Sequence, residues 1–241
     1  MVKQALILAS GLGKRMQPLT HYIPKPMVEI RGKSLIARAI DQLYQAGITK
    51  VIVTGFYKAQ MLKEHVLQYT SACYPDLQID IVIEDELHEV WGSIKKSLAS
   101  LDPEPFLLVN GDAYWVDSDA NIVEAMRQKW DTSKMKALVL LYPRERAIGY
   151  EGRGDFDLQD ECVIDPSLST SWPYVYIGLQ IINPEFLYNY PLKRDSIFSI
   201  YAAEKYRGIY GIVYDGYWFH IGTPASIIET EGFMDRLGLY S

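Results

Sequence analysis

Gln4-Ala5-Leu6-Ile7-Leu8-Ala9-Ser10-Gly11-Leu12-Gly13-Lys14-Arg15-Met16-Gln17-Pro18-Leu19-Thr20 opens the chain as an apolar run that breaks abruptly into a glycine loop. Residues 4–9 show no polar/apolar alternation, which predicts a strand covered on both faces. Phosphate-binding loops sit directly after such strands. Gly11 and Gly13 let the backbone turn sharply and present bare N–H groups to anionic oxygens, and Lys14 and Arg15 add charge. A Walker A loop is excluded, because Leu8 and Arg15 occupy the places of its first glycine and its Ser/Thr. A dinucleotide fingerprint keeps only Gly11-x-Gly13, since Met16 stands where its third glycine belongs, so a nicotinamide-dependent oxidoreductase is a poorly supported alternative.

Downstream, strand-like and helix-like segments alternate. Ile36, Ala39, Ile40 and Leu43 recur at helical spacing, with Ser34 placed as N-cap and Gly47 just past the end, which predicts a helix over 35–46. Further strands are predicted over 50–54, 79–83, 106–109 and 136–142, and helices over 59–69, 93–101 and 121–130. Repeated β-α-β units of this length predict an α/β fold: a doubly wound, mostly parallel sheet with helices on both faces. Between 143 and 173 the pattern dissolves into Gly, Asp, Arg and Ser with two short strand candidates. Strands over 174–182 and 210–214, a helix over 196–206 and a terminal helix over 225–238 opened by Pro224 complete the reading.

The chain has 241 residues, 49% apolar and 22% charged, enough for one large α/β domain over 1–241. With 24 basic against 30 acidic residues, a formal charge of -6 and no long Lys/Arg run, no nucleic-acid partner is expected. Cys73 and Cys162 lie far apart and form no CxxC pair, which fits two thiols in a reducing compartment. The first apolar run is too short for a secretion signal, and no stretch approaches the roughly 18 consecutive apolar residues of a membrane span. A cytoplasmic location without membrane attachment is the expectation. Eighteen tyrosines and Trp172-Pro173-Tyr174 leave monomer and homodimer open.

Two further segments carry chemistry. In Pro24-Lys25-Pro26 two prolines stiffen the backbone around one lysine, giving a preorganised ammonium for developing phosphate charge. Phe106-Leu107-Leu108-Val109-Asn110-Gly111-Asp112 is an apolar strand ending in Gly-Asp. In an open parallel sheet, ligands bind beyond the strands' carboxyl ends, so Asp112 should face the same crevice as the glycine loop. A carboxylate there, beside triphosphate, is a natural magnesium ligand.

Together with Gly222-Thr223-Pro224, these motifs make the chain similar to the bacterial sugar-1-phosphate nucleotidyltransferases. It resembles in particular their short members, the N-acetylmuramate 1-phosphate uridylyltransferases and the short mannose-1-phosphate guanylyltransferases. The resemblance is strong over 1–116, moderate over 172–228 and thin between. It implies a nucleotide-binding half over 1–116 and a sugar-binding half over 117–241. The implied reaction joins an NTP and a sugar 1-phosphate into an NDP-sugar and pyrophosphate, with Mg2+ as cofactor and Mn2+ as a substitute. Matched by motif, Ala9, Gly11, Leu12, Gly13, Lys14, Arg15, Lys25, Glu89, Trp91 and Gly92 would bind the nucleotide. Arg15, Lys25 and Asp112 would be catalytic, Asn110, Tyr176 and Gly178 would bind the sugar, and Asp112 would ligate the metal.

The chain departs from that pattern at three places. His220 stands where the family commonly has an acidic second metal ligand, and imidazole suits softer metals than magnesium. Three readings stay open: water in the vacant place, a different metal, or weakened activity; His220 itself is either a ligand or a hydrogen-bonded neighbour. Asp215 is not expected to substitute, being placed by strand alternation on the opposite face from position 220. In Glu89-Val90-Trp91-Gly92-Ser93-Ile94 a tryptophan and a serine replace glycines, so Trp91 either stacks on base or sugar, closes the pocket, or packs at a helix start. No counterpart is found to the Glu-Lys-Pro segment of longer relatives, and Arg144, Arg146 and Arg153 read best as a solvated face.

Three outcomes are therefore weighed. UTP with N-acetylmuramate 1-phosphate, for peptidoglycan recycling, leads; GTP with mannose 1-phosphate and a catalytically weakened nucleotide-binding regulator are the alternatives.

Overall fold

The computed structural model describes residues 2–118, 120–188, 190 and 196–239. In chain order the strands and helices are β1 (Gln4–Leu8), β2 (Glu29–Ile30), β3 (Lys33–Ser34), α1 (Leu35–Gln45), β4 (Lys50–Gly55), α2 (Ala59–Cys73), β5 (Gln78–Ile83), α3 (Val90–Ser97), β6 (Phe106–Asn110) and β7 (Ala113–Val116). The second half adds α4 (Ile122–Lys129), β8 (Ala137–Pro143), β9 (Leu158–Gln159), β10 (Cys162–Val163), β11 (Tyr174–Ile182), α5 (Ile197–Ala203), β12 (Ile209–Val213), β13 (Tyr217–His220) and α6 (Pro224–Leu237).

One nine-stranded sheet runs β5-β4-β1-β6-β11-β8-β12-β10-β9. β5, β4, β1 and β6 are mutually parallel, β12 lies parallel to β8, and β11 runs antiparallel to both β6 and β8. The sheet is double-faced, as the unalternated apolar run in β1 predicts. Ala5 and Ile7 pack under α1, α2 and α4, whereas Leu6 packs with Trp91 and Ile94 of α3 and Ile200 of α5. β6 repeats the division, Leu107 and Val109 on the first face and Phe106 and Leu108 on the second.

The ends of α1 are where local chemistry puts them: the Ser34 hydroxyl accepts the Ala37 N–H at 3.3 Å, and Gly47 follows at φ 77°. α3 differs from expectation. It begins at Val90 with Glu89 as N-cap, and Ser93, expected near its start, already donates its N–H to the Glu89 carbonyl within the helix. β7 and β13, unmarked in the sequence reading, form a separate two-stranded antiparallel ribbon in which His220 pairs with Ala113. A small third core of Met16, Val28, Ile30, Tyr114, Phe219 and Met234 joins this ribbon, α6 and the glycine loop. No described helix is long and apolar enough to cross a membrane.

Candidate active site

Sheet register assembles the site. β1 and β6 pair Leu8 with Asn110, so the glycine loop and Gly111-Asp112 leave the same edge side by side. Their approach is closer than any side chain allows: the Gly111 N–H donates to the Leu8 carbonyl at 2.8 Å, and a Cβ on Gly111 would lie 2.7 Å from that oxygen. β11, running the other way, brings Gly178 against Asn110, where a Cβ would meet the Asn110 side chain at 3.0 Å. The β7–β13 pairing then carries His220 beside Asp112.

The loop itself is anchored at both ends. The Ala9 N–H and the Ser10 hydroxyl each donate to Thr54 Oγ1 on β4 at 3.0 Å. Gly13 takes φ 60°, its carbonyl accepts the Thr20 hydroxyl at 2.9 Å, and Met16 is buried in the third core. Between these anchors a cavity of about 370 Å3 is lined by Ala9, Gly11, Gly13, Lys14, Arg15, Lys25 and Asp112, together with Pro26, Val90, Asn110, Gly111 and Gly222. A second cavity of about 240 Å3 is lined by Tyr176, Gly178, Trp218, His220, Tyr150 and Asp155, with Arg15, Asn110 and Asp112. Arg15, Asn110 and Asp112 therefore border both cavities.

Lys25 is held between two prolines, as predicted, and its Nζ donates to Asp112 Oδ2 at 2.6 Å. The lysine side chain is 11% exposed and the carboxylate 41% exposed, so the pair opens toward the cavities. With Lys14 and Arg15 beside it, the junction carries more positive than negative charge, the environment a polyphosphate needs. Burial pushes the His220 imidazole below its ordinary value, the Lys25 and Arg15 charges adding to the effect and Asp112 opposing it. The shift favours the neutral imidazole. Gly222 leaves room for the ring: a Cβ there would lie 2.8 Å from His220 Nε2 and 3.8 Å from Arg15 Nη1.

The donor set suits a small hard cation carried by phosphates. Magnesium binds through one or two carboxylates plus substrate oxygens and water, and Asp112 offers one part-exposed carboxylate at the junction. His220 lines the same cavity but offers the softer nitrogen donor.

Several sequence expectations need correction. Trp91 is 0% exposed, packs edge-on against Tyr190 at 6.2 Å between ring centres, and belongs to the core under α3, so its ring lines neither cavity. Gly92 faces His88, whose Cβ would sit 2.8 Å from a Cβ at 92. Glu89 and Leu12 are also absent from the lining; Val90 is the residue of that segment that reaches the first cavity. Asp215 is no ligand, though for a different reason than strand alternation. It precedes β13 and pairs with Arg146 at 3.0 Å, its side chain 92% exposed. Arg144 and Arg153 are likewise occupied at the surface, the first donating to the Arg153 carbonyl and the second lying 3.9 Å over the Trp172 ring.

Tyr150, Asp155 and Trp218 were missed. Trp218 had a signal, standing two residues before His220 on one face of a strand. Asp155 had none beyond Gly154 and Phe156 in a stretch without periodicity.

A sequence profile described as "Nucleotidyl transferase" matches residues 4–236. The N-acetylmuramate alpha-1-phosphate uridylyltransferase of Caulobacter vibrioides is 31% identical over 234 residues, covering 95% of this chain and 96% of that protein. The mannose-1-phosphate guanyltransferase of Kluyveromyces lactis is 26% identical over 94% of this chain, which spans 63% of that longer protein. Among solved structures, an apo UDP-glucose pyrophosphorylase superposes with a TM-score of 0.79 at 18% identity, covering 99% of this chain and 100% of that one. HddC from Yersinia pseudotuberculosis, complexed with GMP-PN, gives 0.74 at 21% identity over 97% of this chain and 100% of that one. These structures share the fold, and the match along almost the whole chain gives the assignment: the chain belongs to the nucleotidyl transferase family, among the sugar-1-phosphate nucleotidyltransferases.

Proposed function

We propose that the chain couples UTP to N-acetylmuramate 1-phosphate, releasing pyrophosphate, with Arg15, Lys25 and Asp112 as its catalytic residues. The observation that supports this best is the shared border: Arg15, Asn110 and Asp112 line both cavities, with Lys25 against Asp112. Two reactants held one in each cavity meet there. In this reading the chain is one domain, its half over 1–116 taking the nucleotide and its half over 117–241 the sugar. The full-length likeness to the Caulobacter protein supports the choice of base and sugar. A cytoplasmic role in peptidoglycan recycling follows from that choice.

The chemistry asks for position and charge. An oxygen of the sugar phosphate, already ionised, attacks the α-phosphorus, and the bond to the β-phosphate breaks as pyrophosphate leaves with the electron pair. No general base is needed. The loop N–H groups at Gly11 and Gly13 cradle the phosphates, while Arg15 and Lys25 offset the charge that builds on the α-phosphoryl oxygens. Asp112 would hold Mg2+, which supplies further charge neutralisation when bound.

GTP with mannose 1-phosphate is a second reading, favoured by one residue. Glu84, at the same edge of the sheet just past β5, is 3% exposed, and among the described residues neither carboxylate oxygen has a hydrogen-bond partner. Two orphan acceptors complement the adjacent N1–H and N2–H donors of guanine, whereas uracil offers one donor between two acceptors. The experiment is product detection by mass across five NTPs crossed with N-acetylmuramate, N-acetylglucosamine, mannose and glucose 1-phosphates. A UDP-N-acetylmuramate product supports the leading pair; a GDP-sugar alone establishes the second. Nucleotide binding without product from any pair would leave a regulator.

A further inference from the structure

We propose that Asp155 reads the sugar: it accepts a hydrogen bond from a ring hydroxyl or an acetamido N–H of the sugar 1-phosphate, in a cavity shared with the rings of Tyr150 and Trp218. The inference rests on the reaction proposed above and adds a specificity-determining residue to it.

Three observations carry it. First, Asp155 lines the second cavity, yet belongs to a segment with no helix or regular strand to hold it. Its position is fixed by other means. The Asp155 and Phe156 N–H groups both donate to the Tyr174 carbonyl, at 2.8 and 3.1 Å, and the Tyr174 N–H returns a bond to Phe156 at 3.1 Å. Gly154, at φ 93°, passes so close to the Trp172 carbonyl that a Cβ would lie 1.9 Å from its oxygen. Upstream, Ile148 is bridged to Phe219 of β13. The loop is clipped at both ends, and the carboxylate is preorganised rather than free to wander.

Second, only half of that carboxylate is used. Oδ2 accepts the Tyr176 N–H at 2.9 Å, and among the described residues no donor is bonded to Oδ1. Burial raises the Asp155 carboxyl above the ordinary carboxylate range, with the Tyr176 N–H and Arg153 opposing. An acceptor oxygen left open toward a cavity is available to a ligand's donor.

Third, the same cavity is lined by the aromatic rings that carbohydrate sites use. Tyr150, Trp218 and His220 form a mutual ring cluster, with centres 5.7 to 6.1 Å apart, and all three line that cavity. Such rings cover the C–H face of a pyranose, while a carboxylate takes the donors at its edge. Asp112 and Arg15 line the same cavity, so in this proposal the phosphate sits against that pair and the ring donors reach Asp155.

The test is Asp155→Asn, which keeps one oxygen for the Tyr176 N–H and replaces the open acceptor with a donor, compared with Asp155→Ala. Thermal unfolding checks that both fold. Asp155→Asn is expected to raise KM for the sugar 1-phosphate at least tenfold and to leave KM for the NTP within twofold. Calorimetric titration of the unmodified chain and of Asp155→Asn with the sugar 1-phosphate alone should show the same tenfold loss without turnover. Sugar-phosphate affinity and KM unchanged within twofold, or a parallel rise in both KM values, would overturn the assignment. An unmodified chain that binds the sugar phosphate through Asp155 but makes no nucleotide-sugar would sink the proposed reaction and uphold Asp155.

Discussion

In the proposed reaction most of the chemistry converges on Asp112, which touches Lys25 and borders both cavities. Asp112→Asn should lower kcat at least about a hundredfold, the usual effect of losing a group that manages transition-state charge. Its carboxylate is part-exposed, so thermal unfolding should be nearly unchanged; a variant with full activity would remove Asp112 from the site. His220→Asp places a second carboxylate in the lining and should give equal or higher magnesium-dependent turnover. A clear loss would show that the imidazole has its own role. At this scale the residues beside glycines and prolines were readable, since Lys25 and Asp112 advertise themselves through their neighbours. Trp91 was not: a tryptophan at a helix start looks the same in sequence whether it faces a ligand or the core.

Elements place these residues, and two short approaches control the placement. Gly111→Ala would push a Cβ to 2.7 Å from the Leu8 carbonyl, against backbone that cannot swing aside. Shifts of about 1 Å in reacting groups cost on the order of a hundredfold, so kcat/KM should fall steeply and thermal stability modestly. Ser34→Ala removes the α1 cap and the His65 contact at 2.8 Å, and should cost about 1 kcal/mol in chemical denaturation. Burial holds the His65 imidazole below its ordinary 6.5, with Glu29 opposing. The unfolded chain then takes up this proton at higher pH than the folded one, so stability is lost as pH falls below about 6.5 and regained above it. Denaturation midpoints measured across that window should show the slope, and His65→Gln should reduce it, His220 supplying a further part of the same sign. Continuously apolar strands and capped helices such as β1 and α1 were legible because their signals are local. The β7–β13 ribbon was not, because each strand is four residues long and its partner lies about a hundred residues away.

For the whole molecule, the two-faced sheet is the frame that makes a crevice possible. Leu6→Ala empties a fully buried position between β1 and α3 and should cost about 2–5 kcal/mol, read from chemical denaturation, without changing substrate preference. The parallel half of the sheet followed from repeated β-α-β units. The reversal at β11 did not, because direction within a sheet leaves no mark on a strand's own residues, yet that reversal brings Tyr176 and Gly178 to the site. The account as a whole stands on two reactants meeting at Arg15 and Asp112. The measurement that tests it most directly is pyrophosphate release by the unmodified chain with Mg2+, UTP and N-acetylmuramate 1-phosphate, each omitted in turn. Release that requires both substrates, and that Asp112→Asn abolishes, is the predicted result. Equal release from the nucleotide alone, or none with any NTP and sugar 1-phosphate, would contradict it.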